Sequence, residues 1–507
     1  MPSWSKHPGR VYLVGAGPGD PGLITIRGGE CLRRADLVLY DYLVNPAILG
    51  SVPPAAELVC LGHHDGHGSM PQQEINQRMI QAAVAGKTVV RLKGGDPTVF
   101  GRGAEEIEAL RAAGIPYEIV PGVTAALAAA GYAEIPITHY DYSSAVALIT
   151  GQERRHKGAG RLDYAVLADF PGTLIFYMGV TSAHEWSEAL LARGKPADTP
   201  ATIVRRSSWA DQLTLRCTLG TLSEVIAQRR LRPPAIIVVG EVAALAPEVS
   251  WFAARPLFGA RVLITRPRDQ AVELWRRLYE LGADVQVQPA IEISDPPDWQ
   301  PVDEAIGRLD HYDWIVFSSA NGVRYFLERV CLRSDVRSLG PLRIAAIGPG
   351  TAEELAQYRL RADLIPPQYR AESLAEALRG ESPGKRFLLV RASRGREVLA
   401  EQLSAAGARV DQVVAYTNTD VAQPAPRMAA ALADGQIDWI TVTSSTIARS
   451  LVRLFGDQLQ RSKLVSISPL TSEALRSLGH APAAEAEDYT MEGIVQAILR
   501  HGPEAVR

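Results

Sequence analysis

Short apolar runs alternate with longer segments of helical spacing along the whole chain. In the first half, apolar runs bounded by Gly, Pro, Asn or Asp predict buried strands. These runs are VYLV (11–14), DLVLY (36–40), KTVVRLK (87–93), YEIV (117–120), VALIT (146–150), TLIFYMGV (173–180), ATIV (201–204) and AIIVVG (235–240). The segments 25–34, 104–114 and 125–131 predict helices. This alternation is typical of α/β proteins, and we expect two successive sheets with a change of domain near residues 121–135.

The second half contains an internal repeat. DWIVFSS begins at Asp313 and DWITVTSS at Asp438, an offset of 125 positions, and VLITR and FLLVR end at Arg266 and Arg391 with the same offset. A later pair, IGPGTAEEL and ISPLTSEAL, is 120 positions apart, so the second copy is five residues shorter in between. The repeat predicts two similar α/β units over residues 260–502 with a cleft between them.

A segment without a regular period separates the two halves. Residues 247–259 contain prolines and aromatic residues but neither a helical nor a strand pattern. They predict a linker. We expect Trp251, Phe252 and Phe258 to pack on a neighbouring element.

Length, charge and cysteine content narrow the class of protein. At about 150 residues per domain, 507 residues predict three or four domains. Lys plus Arg total 53 against 56 for Asp plus Glu, so the net charge of −3 recruits neither nucleic acid nor an anionic membrane. The four cysteines form no CxxC pair, which argues against zinc ribbons and disulfides and favours a reducing cytoplasm. No apolar leader or membrane span is predicted, so we expect a soluble, unexported protein.

Two glycine-rich turns follow predicted strands. After KTVVRLK come Gly94, Gly95 and Asp96. The glycines let backbone N–H groups approach a ligand, and the carboxylate can accept hydrogen bonds from hydroxyls or an amine. A second such loop, 15–22, follows the first strand, but its two prolines argue against a dinucleotide fingerprint. Together the two turns predict a site for a small polar ligand.

Other polar residues leave alternatives open. Asp41 follows the second strand and is either a general base or a cap on the next segment. His63, His64 and His67 share a Gly-rich loop but lack the fixed spacing that orients metal ligands. We therefore expect a solvated loop tip there and no metal.

Eight motifs of the first half resemble, in order and spacing, the uroporphyrinogen-III C-methyltransferases of the tetrapyrrole methylase class. They are GAGPGDPGLITIRG, YDYLV, PQQEIN, RLKGGDPTVFGRGAEE, VPGVTAA, IPITH, TLIFYMG and PPAIIVVGEV, and they span residues 11–246. The resemblance implies S-adenosylmethionine bound in a cleft between two α/β sub-domains, about 11–121 and 122–246. It also implies two successive methyl transfers to pyrrole carbons, and a homodimer formed through this half.

The same resemblance assigns roles to particular residues. Asp41 matches the catalytic proton acceptor. The residues that would line the methyl-donor site are Pro18, Gly94, Gly95, Asp96, Val99, Thr124, Ala125, Met178 and Ser207.

Three positions depart from the family pattern. His63 stands where the family carries a lysine proposed as proton donor, and a protonated imidazole can take that role. Tyr140 replaces an arginine expected near the acidic substrate, and Ser207 replaces a glycine or alanine. These departures leave open a methylase that acts on a later corrin intermediate.

The second half resembles uroporphyrinogen-III synthase. VLITRPR, FSSANGV, AIGPGTAEEL, PPQYRAESLAEAL, VRASRGREVLAEQL, VVAYTN, SSTIARSL and YTMEGIVQAI carry the likeness over residues 260–502. It implies cofactor-free cyclisation of hydroxymethylbilane with inversion of the last ring, and it places Tyr416 near the site with a modest role. Candidate substrate-binding residues are Arg266, Ser318, Ser319, Asn321, Arg391, Arg394, Ser444 and Ser445. Ordinary helix capping explains many of these hydroxyls equally well.

The two resemblances together predict one polypeptide with two consecutive tetrapyrrole enzymes. The second half would make uroporphyrinogen III, and the first would methylate it twice to precorrin-2 on the route to sirohaem and corrinoids. An alternative keeps the methyltransferase active and makes the second half a non-catalytic tetrapyrrole-binding module.

Overall fold

The computed structural model describes residues 9–62, 70–153, 162–395 and 397–502. It divides into two compact units. The first comprises the chain up to Ala260 together with Tyr279–Asp284, and the second comprises Arg261–Leu278 and the chain from Val285 onward. Among the described residues, no helix is long and apolar enough to cross a membrane.

The first unit opens with a parallel sheet. Its strands are β1 (Val11–Gly15), β2 (Leu37–Tyr40), β3 (Glu57–Cys60), β4 (Val89–Lys93) and β5 (Tyr117–Val120). Helices α1 (Ile26–Leu32), α2 (Gln72–Val84) and α3 (Gly103–Ala112) accompany it, with 3₁₀ turns at Pro21–Leu23 and Pro46–Ser51, and α4 (Ala125–Tyr132) follows and packs on the second sheet of the unit. The strand order is β3-β2-β4-β1-β5, and every pair is parallel. The carboxyl ends of all five strands therefore lie along one edge.

Buried parallel strands are apolar on both faces when helices cover the sheet. Strand β1 follows this rule, with Val11, Leu13 and Val14 fully buried. Strand β4 breaks it, because Arg91 and Lys93 are only 4% and 2% exposed. Charged side chains are almost never buried without partners, so these two cations mark an ionic network inside the sub-domain.

The second sheet of the first unit is mixed. Its strands are β6 (Val146–Thr150), β7 (Thr173–Tyr177), β8 (Pro200–Arg205), β9 (Leu213–Thr218) and β10 (Ala235–Val239). Helices α5 (Tyr164–Ala168), α6 (Ala183–Leu191) and α7 (Leu222–Gln228) and a 3₁₀ turn at Glu241–Leu245 accompany them. The order is β6-β7-β10-β8-β9, with β6 and β7 parallel and the other pairs antiparallel. Trp186 stacks on Phe176 in its core, with ring centroids 3.8 Å apart.

The linker packs on the first unit, as predicted for its aromatic residues. Trp251 and Phe252 contact the ring of Tyr132, with centroids 5.3 and 4.6 Å away, and Phe258 lies against Phe252 at 5.6 Å. The guanidinium of Arg255 lies over the Phe252 ring, 3.9 Å from its centroid. Phe252 is buried and Trp251 remains 51% exposed, and the ring contacts hold the segment against the first unit.

The second half forms two further five-stranded sheets within the described part of the chain. The strands are β11 (Arg261–Ile264), β12 (Asp284–Val287), β13 (Ile291–Ser294), β14 (Trp314–Phe317), β15 (Arg343–Ala346), β16 (Arg386–Ala392), β17 (Arg409–Asp420), β18 (Trp439–Val442), β19 (Lys463–Ser466) and β20 (Ala484–Glu485). The helices are α8 (Arg268–Glu280), α9 (Gln300–Ile306), α10 (Ala320–Arg333), α11 (Pro349–Gln357), α12 (Ala371–Leu378), α13 (Val398–Ala405), α14 (Pro426–Ala433), α15 (Ser445–Phe455), α16 (Pro469–Ser477) and α17 (Met491–Arg500). Short 3₁₀ turns lie at Leu309–His311, Val336–Leu339, Arg379–Glu381 and Gly456–Arg461.

The two copies of the sequence repeat exchange halves between these sheets. One sheet has the order β12-β11-β18-β19-β20, and the other has the order β13-β17-β16-β14-β15. The first copy thus gives its opening strands to one sheet and β13 to β15 to the other, and the second copy does the reverse. Each lobe is built from half of each copy, which the 125-residue offset alone does not reveal.

The sequence pattern does not predict strands β3 and β9 of the first unit, and strand β7 is shorter than the pattern predicts. Strands β3 and β9 stand at sheet edges and leave much of their side-chain surface exposed, so they lack a continuous apolar run. The run TLIFYMGV ends as a strand at Tyr177 because Met178 adopts a φ of 53°, which β structure does not accept.

Candidate functional site

Three glycine-bearing loops meet backbone to backbone at the carboxyl edge of the first sheet. A Cβ atom on Gly15 would lie 2.5 Å from the Cα of Gly122, and one on Gly122 would lie 2.4 Å from the carbonyl oxygen of Gly95. Gly17 and Gly95 also exchange two backbone hydrogen bonds, of 3.2 and 2.8 Å. Only residues without a Cβ allow this approach, and it leaves a cradle of main-chain groups.

Asp96 ties two of these loops together. Its carboxylate accepts hydrogen bonds from the backbone N–H and the hydroxyl of Thr98, at 2.7 and 2.5 Å, and from the N–H of Gly122 at 3.0 Å. Partial burial opposes its charged form, but these hydrogen bonds outweigh burial and hold the pKa of Asp96 below its usual range. The carboxylate therefore carries a negative charge and shapes the cradle.

The loop that follows β8 in the second sub-domain contacts the glycine-rich loop that follows β1. The indole Nε1 of Trp209 donates to the carbonyl of Pro18 at 3.0 Å, and the backbone N–H of Asp20 donates to the Ser208 hydroxyl at 3.0 Å. The Trp209 ring lies so close that a Cβ on Gly19 would be 2.2 Å from its nitrogen. These contacts bring the loops after β1 and β8 to the same cleft.

The start of α4 and the end of β7 form the next part of the cleft. The Thr124 hydroxyl lies 2.7 Å from the Tyr177 phenol oxygen, which also accepts the backbone N–H of Ala126 at 3.1 Å. Burial raises the pKa of Tyr177, with the two hydrogen bonds only partly opposing it. Met178 follows directly and is 44% exposed in its left-handed conformation. Strained backbone of this kind clusters at ligand sites.

Val99 and Ala125 are the apolar members of the predicted donor site. Both are partly buried and pack against a cluster that includes Ala126, Ala129 and Tyr177. They give the cleft an apolar wall beside the glycine cradle.

Ser207 is the predicted donor-site residue with the least internal support. It is 6% exposed, and its hydroxyl has no hydrogen-bond partner among the described residues. The residues on either side, Arg206 and Ser208, have φ values of 49° and 66°. A buried hydroxyl without a partner costs free energy unless a ligand satisfies it, so this serine fits a polar ligand group.

Asp41 lies beside the cradle at the end of β2. Its Oδ1 accepts a hydrogen bond of 2.6 Å from Nη2 of Arg91, and its Oδ2 accepts one of 3.3 Å from the N–H of Gly94. The carboxylate side chain remains 30% exposed. It is therefore fixed in orientation and still open to a substrate.

A buried ionic network stands behind Asp41. Arg91 also donates from Nε to Oε1 of Glu106 at 3.0 Å, and Lys93 donates to the same oxygen at 2.9 Å. Burial opposes the charged form of Arg91, but Asp41 and Glu106 outweigh it and raise the pKa of Arg91. Burial, followed by repulsion from Arg91, lowers the pKa of Lys93. The apolar run KTVVRLK predicts the buried strand but not the ionic network, because the partner carboxylates of Asp41 and Glu106 lie on other elements.

Two of the positions that depart from the family pattern, His63 and Tyr140, differ in what the structure shows of them. His63, together with His64 and His67, lies outside the described residues. Tyr140 is 98% exposed, and the turn around it is closed by paired backbone hydrogen bonds between His139 and Ser143.

Tyr416 lies in the core of the second unit, where it meets two of the predicted substrate-binding residues. Its phenol oxygen is 3.0 Å from the Ser319 hydroxyl, and its ring stacks on Tyr325 with centroids 5.8 Å apart. Burial raises the pKa of Tyr416, although hydrogen bonds with Ser319 and Asn321 partly oppose this. The phenol is thus neutral and able to donate a hydrogen bond.

A cavity of about 640 Å³ opens beside this cluster, and Arg266, Gln270, Asn321 and Arg324 line it. Gln270 donates to the amide oxygen of Asn321 at 2.7 Å, and so connects α8 with α10. Within the described part of the chain, the hydrogen bonds of Arg266 go to Gln270 at 3.3 Å and to the sulfur of Met491 at 3.0 Å. Burial lowers the pKa of Arg266. The cavity is also lined by Asp269, Glu273 and Glu354, and the charges of Glu273 and Asp269 partly oppose this lowering.

The other predicted substrate-binding residues are engaged within the protein. Ser319 and Ser444 occupy equivalent repeat positions, and each caps a helix by accepting a backbone N–H, at 3.0 and 3.1 Å. Arg391 pairs with Glu397, and Arg394 pairs with Asp420 at 2.9 Å.

The remaining two hydroxyls donate to backbone carbonyls. The Ser318 hydroxyl bonds to Val390 and the Ser445 hydroxyl to Leu470, both at 3.3 Å. Both serines therefore have partners within the chain.

Two family models match the two halves of the chain separately, and one relative matches both halves together. The family model for tetrapyrrole (corrin/porphyrin) methylases matches residues 10–223, and the model for uroporphyrinogen-III synthase HemD matches residues 272–496. The porphyrin biosynthesis protein HemD of Ruminiclostridium josui is 34% identical over 498 residues, 97% of this chain and 98% of that protein. The uroporphyrinogen-III C-methyltransferase of Bacillus subtilis is 37% identical over 337 residues, 65% of this chain and 68% of that protein. A Thermus thermophilus uroporphyrin-III C-methyl transferase solved with S-adenyl homocysteine is 38% identical, with 47% of this chain and 100% of that one covered and a TM-score of 0.41.

These matches and the two α/β halves define a two-part enzyme of tetrapyrrole chemistry. The predicted fusion is confirmed. The chain belongs to the tetrapyrrole methylase family through its first half and to the uroporphyrinogen-III synthase family through its second. It is a bifunctional enzyme of tetrapyrrole biosynthesis, an S-adenosylmethionine-dependent C-methyltransferase joined to a synthase.

Proposed function

We propose that the second half converts hydroxymethylbilane to uroporphyrinogen III and that the first half methylates this product twice, giving precorrin-2. The observation that carries the methyltransferase assignment is the position of Asp41. Its carboxylate hydrogen bonds to the N–H of Gly94 in the cradle and is still 30% exposed. A base and a donor site thus share one wall of the cleft.

The residues of the cleft fit the methyl donor. The glycine cradle offers main-chain groups to the polar part of S-adenosylmethionine, Val99 and Ala125 offer an apolar wall, and the unpartnered Ser207 hydroxyl offers a hydrogen bond. Pro18, Gly94, Gly95, Asp96, Thr124 and Met178 complete the proposed donor site. When bound, S-adenosylmethionine supplies an electrophilic methyl group.

The protein's own contribution is orientation and proton removal. Methyl transfer needs the pyrrole carbon aligned with the donor methyl, and the methylated tetrapyrrole then loses a proton. Asp41 accepts that proton, because its carboxylate is partly exposed and is fixed next to Gly94. We also propose His63 as the proton donor. Replacing this histidine with lysine, the residue that the family carries at this position, tests that role.

Ser207→Ala tests the proposed contact with the donor. We expect the Kd for S-adenosylhomocysteine to rise about fivefold, the equivalent of one hydrogen bond of about 1 kcal/mol. Stability should not fall, because the hydroxyl has no partner among the described residues. Calorimetric titration gives the affinity. The matched control is Ser208→Ala, which removes the acceptor for Asp20 N–H and lowers stability. An unchanged affinity in Ser207→Ala would remove this residue from the site.

In the synthase half, we propose that catalysis depends more on the geometry in which the site holds the linear tetrapyrrole than on any single side chain. Ring closure requires the linear tetrapyrrole to be folded into the right geometry, and the substrate carboxylates require cations such as Arg266. Ser318, Ser319, Asn321, Arg391, Arg394, Ser444 and Ser445 complete the proposed substrate site. Tyr416 helps the hydroxyl leave by donating a hydrogen bond.

Tyr416→Phe tests whether synthase catalysis is distributed over many contacts. Loss of one hydrogen bond of about 1 kcal/mol should reduce the synthase kcat about fivefold. The assay measures uroporphyrinogen III against the non-enzymatic I isomer, and Tyr489→Phe, an exposed tyrosine of the same unit, is the control. Complete loss of activity in a folded Tyr416→Phe protein would show that one group is indispensable.

The methylated product distinguishes the main proposal from a methylase of later corrin intermediates. With uroporphyrinogen III and S-adenosylmethionine under anaerobic conditions, the product should carry two added methyl groups by mass spectrometry. Failure to methylate uroporphyrinogen III, with transfer to a later intermediate instead, would overturn the substrate assignment.

We also infer a homodimer formed through the first unit, working in a reducing cytoplasm. The first unit exposes large apolar side chains such as Leu127, Tyr140 and Tyr142, and all four cysteines are free. Light scattering of the purified chain should give twice the monomer mass, and a monomer mass at micromolar concentration would contradict the inference.

A further inference from the structure

Glu106 is a fully buried carboxylate with an unusual set of partners. It lies on α3 with no exposed surface. Its Oε1 accepts hydrogen bonds from Arg91 at 3.0 Å, Lys93 at 2.9 Å and the amide of Gln72 at 3.2 Å. Its Oε2 is buried and has no partner among the described residues. One oxygen thus carries the whole network while the other carries none.

A contribution to fold stability does not by itself explain why the chain buries this ionic network. Buried ion pairs replaced by well-packed apolar residues often leave proteins equally stable or more stable. The geometry instead leads toward the cleft, because Arg91 reaches Glu106 with Nε and Asp41 with Nη2. A planar guanidinium held at one edge presents its other edge in a fixed direction.

We propose that Glu106 is a positioning residue for methyl transfer, holding Arg91 so that Arg91 keeps the Asp41 carboxylate beside Gly94. The proposal rests on the proposed role of Asp41 as the base. Lys93 balances the second negative charge, so two anions and two cations alternate from the cleft inward. Glu106 touches no reacting atom and acts through Arg91.

The charge of Glu106 strengthens its hold on Arg91. The charged groups that face Glu106 in the described structure are Arg91 and Lys93 on β4, Arg102 before α3, and Asp41 beyond Arg91. Without the Glu106 charge, Nε of Arg91 keeps only a neutral acceptor, and the hydrogen bond that fixes this edge of the guanidinium is weaker. The other edge is then held less firmly toward Asp41.

Glu106→Gln is the main test. An amide oxygen can keep the three donors of Oε1, and the amide nitrogen can take the place of the unpartnered Oε2, so the fold is expected to persist. We expect kcat for methyl transfer to fall about 10²-fold, with KM for the tetrapyrrole and Kd for S-adenosylhomocysteine unchanged. Glu108→Gln, an exposed carboxylate on the same helix, should behave like the unmodified protein. A kcat within twofold of the unmodified enzyme would overturn the proposal.

A double variant separates positioning from an independent effect. Because Glu106 acts through Asp41, the variant Asp41→Asn with Glu106→Gln should be no slower than Asp41→Asn alone. Multiplied losses would show that Glu106 works by another route and would overturn the proposal. If Asp41→Asn alone were fully active, the assignment of the base would fail instead, which is a distinct result.

Arg91→Lys keeps the proposal testable if Glu106→Gln does not fold. Lysine keeps the positive charge but lacks the two fixed edges that join Arg91 to Glu106 and to Asp41. We expect kcat for methyl transfer to fall about 10²-fold, with KM for the tetrapyrrole and Kd for S-adenosylhomocysteine unchanged. A kcat within twofold of the unmodified enzyme would show that the fixed guanidinium does not position Asp41 and would overturn the proposal.

Discussion

Asp41→Asn is expected to lower kcat for methyl transfer about 10³-fold, within the range that a general base contributes. The amide cannot accept the proton that leaves the methylated tetrapyrrole, although it can still accept a hydrogen bond from Arg91 or Gly94. The affinity for S-adenosylhomocysteine should therefore stay close to that of the unmodified enzyme. Single-turnover measurements with labelled methyl donor give the rate of transfer, and calorimetric titration gives the affinity.

The control for this experiment is Asp198→Asn, which changes an exposed aspartate of the second sub-domain. It should leave transfer and binding unchanged. A transfer rate in Asp41→Asn within a few-fold of the unmodified enzyme would mean that another group or solvent takes the proton. Lost binding together with lost activity would instead assign Asp41 to the donor site.

Gly122→Ala is the second change with a large expected effect. The new methyl group would lie 2.4 Å from the Gly95 carbonyl oxygen and 2.7 Å from the Gly15 Cα, both of them backbone atoms. Because backbone cannot move aside as a side chain does, we expect the free energy of unfolding of the first unit to fall by about 3 kcal/mol. The cradle should open as well, with loss of measurable S-adenosylhomocysteine binding. Urea unfolding and calorimetric titration measure the two effects.

Gly131→Ala provides the matched control. Gly131 lies in α4, and a Cβ there meets nothing within 4 Å. The substitution should stabilise the helix by about 0.5–1 kcal/mol, since Gly is a poor residue for a helix interior. If Gly122→Ala bound S-adenosylhomocysteine as well as Gly131→Ala does, the close packing of the three loops would not be what forms the site.

Local sequence signals predict part of the proposed methyl-donor site. Gly94 and Gly95 after an apolar strand predicted a close backbone approach, and Asp41 at a strand end predicted an available carboxylate. Both lie at the carboxyl edge of the same sheet, as parallel strands require. Whether Asp41 takes the proton, as the resemblance implies, remains a prediction.

Contacts between distant segments were beyond the sequence patterns. The approach of Gly15 to Gly122, the bond from Trp209 to Pro18 and the burial of Glu106 depend on tertiary packing. The exchange of repeat halves between the two sheets was hidden for the same reason. An offset in sequence shows that two segments are alike but not which sheet each one joins.

The most direct measurement follows hydroxymethylbilane through the intact chain with S-adenosylmethionine under anaerobic conditions. The two proposed activities predict a single main product, of the III isomer series, that carries two added methyl groups. Without S-adenosylmethionine the same protein should accumulate uroporphyrinogen III. Accumulation of the non-enzymatic I isomer, or of unmethylated uroporphyrinogen III in the presence of the donor, would contradict the assignment of two consecutive reactions to this polypeptide.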